Sequence, residues 1–288
     1  MHPVVAIVAA GNMGAAVAKR LTGQGIRILT SLVGRSTETA RRAAAAGMIA
    51  VTDEELAAAD FILSIVPPGD AMRLARRFVP ALTASNSKPI FVDCNAVNPA
   101  TVERIAATIA PTGSPFLDCG IIGPPPAPGE PGPRFYASGA AAARFAVLRG
   151  YGLDVRVLDG TLSAASALKM SYAGITKGTQ AVGAAMLLAA TRAGSAEALF
   201  AELNESQAGI LAWLTRSLSR MPPKAYRWVA EMEEIADFVG DDPAARALYT
   251  GAANFYEQIA KDFAGEKKDV AALAAFLNSP QKNLEPSC

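Results

Sequence analysis

The chain opens on an unbroken apolar run, Val4-Val5-Ala6-Ile7-Val8, and then changes period. From Ala15 the apolar residues recur at helical spacing until the pattern runs out near Gly23 and Gly25. The alternation repeats through the first 160 residues. Residues 26–33 read as a second strand, and Ser36 caps a helix that runs to about Ala46, with Gly47 just past its end. Residues 61–66 form a buried strand stopped by Pro67 and Pro68, and 70–82 are helical. Residues 89–93 are a strand, Asn98 caps a helix with Pro99 at its first position, and 115–118 are a further strand. Continuous apolar strands between amphipathic helices predict a parallel sheet covered on both faces.

The texture then changes. Residues 123–133, between Gly123 and Pro133, are so rich in Pro and Gly that regular structure is excluded. They form either a stiff surface connection or, coming straight after a sheet strand, a wall of a ligand crevice. Residues 135–138 and 155–158 are late strands. From Ser163 onward the pattern is helical. One very long helix spans 163–192, and its Ala, Ser and Gly allow close backbone approach, so it is expected to be central. Stripes follow at Ile210, Leu211, Leu214 and Leu218, at Trp228, Met232, Ile235 and Val239, and at Leu248, Phe255, Ile259 and Phe263. They predict core or dimer surface. The expected division is 1–160 and 161–288.

The turn after the first strand reads Ala9-Ala10-Gly11-Asn12-Met13-Gly14 and opens directly into a helix. That order suits a dinucleotide pyrophosphate. Gly11 lets the backbone approach the phosphates, Gly14 lets the helix pack on the strand, and the N–H groups from Asn12 and Met13 onward face the anion. Ala9 stands where the first glycine of the pattern usually is, so its φ/ψ must be one that alanine tolerates. About 20 residues further on, an acidic residue ordinarily binds the ribose 2′-hydroxyl. Here the chain reads Leu32-Val33-Gly34-Arg35-Ser36-Thr37, with no carboxylate. Arg35 can fork onto a 2′-phosphate and Ser36 can donate to it, so the expected cofactor is NADP(H). Val66 and Pro67, where a strand stops, are added as cofactor contacts. Asn95 is either a cofactor contact or a turn residue.

Composition narrows the chemistry. A net charge of +1 gives no field that argues for nucleic acid or an anionic membrane. No apolar run approaches the ~20 residues of a membrane span, and no export leader precedes the first strand. Cys94, Cys119 and Cys288 are an odd number without zinc spacing, so a reduced cytoplasmic setting without metal is expected. The only histidine is His2, which leaves proton transfer to Lys, Tyr, Asp, Glu or Cys. Lys169 lies within about two turns of the start of the long helix, among small and apolar residues. Burial and the positive helix end both disfavour its ammonium form, which suits a proton carrier; the alternative is a lysine snorkelling on a helix surface.

Several of these segments together resemble the 6-phosphogluconate dehydrogenases and β-hydroxyacid dehydrogenases. Residues 6–14 resemble the opening of that superfamily, and Lys169-Met170-Ser171-Tyr172-Ala173-Gly174-Ile175 resembles the helix carrying its catalytic lysine. Asp118-Cys119-Gly120-Ile121-Ile122-Gly123 is similar to its substrate loop, and residues 92–99 to the segment beside the nicotinamide. Residues 227–235 resemble a branch with a phosphogluconate-dehydrogenase-like C-terminal domain of unknown function. The resemblance implies an α/β Rossmann N-terminal domain, an all-α C-terminal domain, a long interdomain helix and a homodimer. It implies Lys169 as the proton-transfer residue and Ile122 and Gly123 at the substrate. Two positions depart from the family. Ala173 stands where an Asn follows the lysine, and Ile122 stands where a Ser binds carboxylate. Tyr172 and Lys177 are candidate compensating contacts, Tyr172 alternatively being ordinary packing. The expected function is an NADP(H)-dependent oxidoreductase acting on a hydroxyacid-like or related carbonyl substrate, with Lys169 as the proton-transfer residue. An imine reductase and a non-catalytic NADP(H)-binding sensor are the alternatives.

Overall fold

The structure, a computed structural model, describes residues 2–127 and 129–278; Cys288 lies outside the described residues. The chain forms two compact units that divide at Met170/Ser171, within the long helix. The sequence placed this boundary near Gly160. The first turn of that helix is hydrogen-bonded to Ser138 and Asp118 in the sheet, and Lys169 in the next turn to the Asn95 carbonyl, so the start of the helix belongs with the first unit.

The first unit is a single eight-stranded sheet in the order β3-β2-β1-β4-β5-β6-β7-β8. Its strands are β1 (Val4–Val8), β2 (Arg27–Thr30), β3 (Met48–Ala50), β4 (Phe61–Ser64), β5 (Ile90–Asp93), β6 (Phe116–Ile122), β7 (Arg134–Ser138) and β8 (Asp154–Val157). Helices α1 (Asn12–Thr22), α2 (Thr37–Ala45), α3 (Asp53–Leu56), α4 (Pro68–Ala84), α5 (Pro99–Ile109) and α6 (Ala142–Phe145) connect them. Successive residues of β1 point to opposite faces. Val5 and Ile7 pack with Val17, Leu21 and Phe145 on one face. Ala6 and Val8 pack with Leu74, Phe78 and Ile105 on the other. The predicted caps form: Ser36 accepts from Thr39 N at 3.2 Å and Asn98 accepts from Thr101 N at 2.9 Å. Gly47 takes the left-handed conformation past α2.

Four differences from the sequence pattern have local causes. The sheet is not wholly parallel, because β7 runs antiparallel to β6. A parallel return needs a crossover of a dozen or more residues, usually a helix, and the Pro/Gly segment 123–133 cannot supply one. Strand β6 runs on to Ile122 because residues 118–122 are those that pair with β7. Strand β2 stops at Thr30 rather than 33, since a turn with Gly34 at φ +70° lifts Val33 off the sheet to 73% exposure. The sequence pattern does not predict strand β3 or helix α3. Three residues carry no periodicity, but the capping box of Thr52 and Glu55 that starts α3 was present in the sequence. The Pro/Gly segment itself is pinned to α1, where the Arg20 guanidinium donates to the carbonyls of Ala127, Glu130 and Pro131.

The long helix α7 (Ala164–Arg192) carries the chain into the second unit. That unit continues with α8 (Ala196–Ser206), α9 (Ala208–Leu218), α10 (Ala225–Phe238), α11 (Pro243–Ala264) and α12 (Lys268–Leu277). Small residues on α7 allow the close packing expected of them. A Cβ added at Gly183 would meet Leu214 Cδ2 at 2.5 Å, and one at Gly174 would meet the Tyr249 hydroxyl at 3.0 Å. Of the helical stripes, Leu211, Leu214, Leu218, Met232, Ile235 and Ile259 are buried, whereas Ile210 and Leu248 face outward. Tyr256, which no stripe marked, is fully buried against Trp228, with ring centroids 5.2 Å apart.

Candidate active site

The residues predicted for the cofactor lie along the carboxyl edge of the sheet, around the switch between β1 and β4 where strand order reverses. The glycine turn is built as its sequence implies. Gly11 is the N-cap of α1, and no side chain caps this helix. Its first N–H groups are therefore left for an outside acceptor. A Cβ on Gly11 would meet nothing within 4 Å, so the turn has open space in front of it. Gly14 is the opposite case: a Cβ there would stand 2.1 Å from the Ala9 carbonyl oxygen. The helix is thus pressed on the turn where only glycine fits. Ala9 does not have positive φ, which is why alanine serves where the usual pattern has glycine. This cradle fits a pyrophosphate. Asn12, Met13 and Gly14 would hold it through backbone N–H groups.

Next to it, a cavity of about 230 Å³ is lined by Val33, Gly34, Arg35, Val66, Asp70 and Arg73, together with Leu74 and Arg77. Two of its three arginines are already matched. Arg77 forks onto Asp53 at 2.7 Å and also donates to Ser31, while Arg73 pairs with Asp70. Arg35 is exposed and makes no ion pair among the described residues. Its charge is available to an anion. Ser36 Oγ accepts from Thr39 N as the α2 cap and also lies 3.1 Å from Thr39 Oγ1, where either hydroxyl can be the donor. Arg73 and Arg77 were not singled out in the sequence, because nothing there shows that α4 faces Arg35.

A continuous polar path runs from this cavity to Lys169. Val66 N donates to Asn95 Oδ1 at 2.7 Å. The Asn95 amide nitrogen donates to Ser64 Oγ and to Asp93 Oδ1. The side chain of Asn95 is 2% exposed and is spent on joining the ends of β4 and β5; it is a brace inside the site. Its main-chain oxygen accepts from Lys169 Nζ at 3.4 Å. Lys169 itself is half-buried. Below it sits Asp118, 0% exposed in the middle of β6 and opposite Asp93 in the β5–β6 register. Asp118 accepts from Ser166 N at 2.6 Å and Ser166 Oγ at 2.7 Å. Burial pushes its carboxyl up to about 7. The Ser166 hydrogen bonds and the Lys169 cation pull the other way, and Asp93 adds to the rise. Cys94 and Cys119 are buried free thiols. Burial, then Cys119 and Asp93, hold the Cys94 thiol well above its ordinary range, which disfavours its thiolate. Asp118, Asp93 and Ser166 were not named as site residues. The signal was a carboxylate inside the apolar strand Phe116-Leu117-Asp118-Cys119, an expensive placement without partners.

Ile122 ends β6 half-buried, and Gly123 follows at φ +128°, where a Cβ would meet Pro133 Cα at 3.0 Å. The other two substrate candidates lie in the second unit. Tyr172 is half-exposed on α7. Lys177 is ion-paired with Glu231 and lies over the Trp228 ring at 5.2 Å, and its carbonyl accepts from the Tyr256 hydroxyl at 2.6 Å. Its charge is already matched within its own unit, which sequence spacing could not show.

Residues 190–259 match a domain of unknown function, DUF1932, and residues 4–148 match the NAD binding domain of 6-phosphogluconate dehydrogenase. Among solved structures, a conserved protein of unknown function, described as structurally similar to 3-hydroxyacid dehydrogenases, is 28% identical. It covers 90% of this chain and 97% of its own, at a TM-score of 0.67. The 3-hydroxyisobutyrate dehydrogenase of Mycobacterium tuberculosis shares the fold at 20% identity, 97% and 100% coverage and TM-score 0.67. An imine reductase of Myxococcus stipitatus in complex with NADP+ shares it at 20% identity, 96% and 100% coverage and TM-score 0.54. The match of residues 4–148 spans half of the chain, and the chain belongs to the family of the NAD binding domain of 6-phosphogluconate dehydrogenase, among the nicotinamide-dependent oxidoreductases.

Proposed function

We propose that this protein is an NADP(H)-dependent reductase or dehydrogenase that transfers hydride to or from a hydroxyacid-like or related carbonyl substrate, with Lys169 as the proton-transfer residue. The observation that carries it is the path from the Arg35 cavity through Val66 and Asn95 to the Lys169 amine. Arg35 holds the 2′-phosphate by charge-assisted hydrogen bonds, and the N-terminus of α1 holds the pyrophosphate. Bound, the nicotinamide supplies or accepts the hydride. Lys169 gives a proton to the carbonyl oxygen as reduction proceeds, or takes it from the hydroxyl in oxidation. Ile122 gives the substrate loop an apolar wall where the family has a polar contact, and this favours a substrate with an apolar flank. The same feature supports the second reading, an imine reductase, since an iminium arrives already charged. A panel of hydroxyacids, ketoacids and cyclic imines, followed at the NADPH absorbance, tests both. Turnover of imines alone would replace the hydroxyacid reading, and turnover of nothing would leave the sensor.

The protein acts as a homodimer on this reading. The second unit has a groove of about 680 Å³ lined by α7 and α11 without a charged side chain. Ile175, Val182 and Leu248 on its walls are 63–70% exposed. A second copy of the same uncharged, apolar face covers it without opposing like charges. Light scattering at micromolar concentration should give twice the chain mass, and Leu248→Asp should shift it toward monomer. A wild-type monomer would refute this. The free thiols of Cys94 and Cys119 support a reducing, cytoplasmic location, and among the described residues no helix is long and apolar enough to cross a membrane.

A further inference from the structure

The first turn of α7 is gripped by two strands at once. A helix leaves its first N–H groups without intrahelical partners. Here two of them are taken by side chains of the sheet. Ser138 Oγ in β7 accepts from Ala165 N at 2.9 Å and donates to Leu162 O at 2.7 Å. Asp118 in β6 accepts from Ser166 N and Ser166 Oγ. Asp118 and Ser138 are cross-strand partners, so the grip is one feature of the β6–β7 register. Two residues along β6, on the same face, Gly120 lets the helix down onto the strand. A Cβ there would stand 2.8 Å from Ala165 O and 3.2 Å from Lys169 Cβ. Lys169 follows Ser166 by three residues and so shares its side of the helix.

We propose that Asp118 is the positioning residue for Lys169: by holding Ser166 through both carboxyl oxygens it fixes the first turn of α7 on β6 and so sets where the lysine amine stands. The proposal rests on Lys169 being the proton carrier. An apolar residue would fill β6 at lower cost than a buried carboxyl, so stability alone does not account for Asp118. Both of its protonation states serve. Ionised, it accepts from Ser166 N–H and O–H. Neutral, it accepts from N–H and donates to Oγ. The charged groups around it are Asp93 on β5 and Lys169 on α7.

The test compares Asp118→Asn, Asp118→Ala and Ser166→Ala with Lys169→Met. Asparagine can accept from Ser166 N–H and donate to its Oγ, so it should rescue what alanine loses. With the best substrate of the panel, Asp118→Ala should lower kcat by about 10²-fold, the order expected for ~1 Å misplacement of a reacting group. KM and NADPH affinity should hold. Ser166→Ala, which keeps the N–H bond, should fall between. It carries the comparison if the alanine at 118 prevents folding. A substrate-free readout is the acetylation rate of Lys169 by acetic anhydride, followed by mass spectrometry. It should rise in Asp118→Ala and stay near wild type in Asp118→Asn. A folded Asp118→Ala with wild-type kcat and wild-type labelling overturns the proposal. So does an asparagine variant as impaired as alanine, which would make the charge and not the grip decisive. Wild-type turnover in Lys169→Met would instead remove the lysine reading itself.

Discussion

Helices α1 and α7 both begin at the sheet and solve the same problem in opposite ways. Each leaves several N–H groups that water or a partner must satisfy. At α1 the cap is Gly11, with no side-chain bond and open space in front. At α7 the sheet supplies Asp118 and Ser138, and the turn is closed by protein atoms. An open N-terminus is an anion site, whereas a closed one is a fixed platform for what stands on its next turn. On the proposed function the contrast separates binding from chemistry in this unit: α1 would hold the cofactor, and α7 would carry the proton.

The largest test of that division is on the platform. Lys169→Met keeps the length and apolar bulk of the side chain and removes the proton carrier. We expect kcat to fall about 10²–10⁴-fold, the range typical of acid–base groups, with NADPH affinity nearly unchanged. Loss of NADPH binding in a fluorescence titration would show that the two ends are not separable.

The closed end should also be visible in stability. The Asp118 carboxyl ionises near 3.8 when unfolded and near 7 when folded. Its folded pKa is raised, so the folded state keeps a proton that the unfolded chain has lost between those values. The stabilising contribution is full below about 4 and is lost as pH rises through about 7, at up to ~1.4 kcal/mol per pH unit. Asp118→Asn cannot ionise and should flatten that slope. Tm measured from pH 4 to 8 in both proteins checks it, and parallel curves would mean that Asp118 is ionised throughout.

At the open end, Gly14→Ala sets a methyl 2.1 Å from a backbone oxygen that cannot rotate away. A stability loss near ~3 kcal/mol, high in the range for overpacking, should appear in denaturant unfolding together with weaker NADPH binding. A neutral outcome would show that the turn can yield. The smallest effect belongs to Arg35→Ala. It should weaken NADPH by about 1–3 kcal/mol and leave NADH unchanged, as for a lost charge-assisted set. Equal affinity of the wild-type protein for both cofactors would refute Arg35 as the 2′-phosphate residue.

The sequence by itself determined what depends on neighbours along the chain. Strand β1, the glycine turn, the caps at Ser36 and Asn98 and the span of α7 are fixed by local backbone preference and by periodicity, and these are written in consecutive residues. It also marked Lys169 and Arg35, because charge in a small-residue helix or in a loop lacking acid is a local oddity. Only the tertiary structure decided how the ends of strands combine. That β7 turns back on β6, that Asn95 spends its side chain on Val66 and Ser64, and that Lys177 belongs to Glu231 are pairings across 12 to 54 positions of chain. The grip of Asp118 on Ser166 spans 48. Such pairs are set by sheet register and helix packing, which a buried carboxylate announces in the sequence without saying whom it holds.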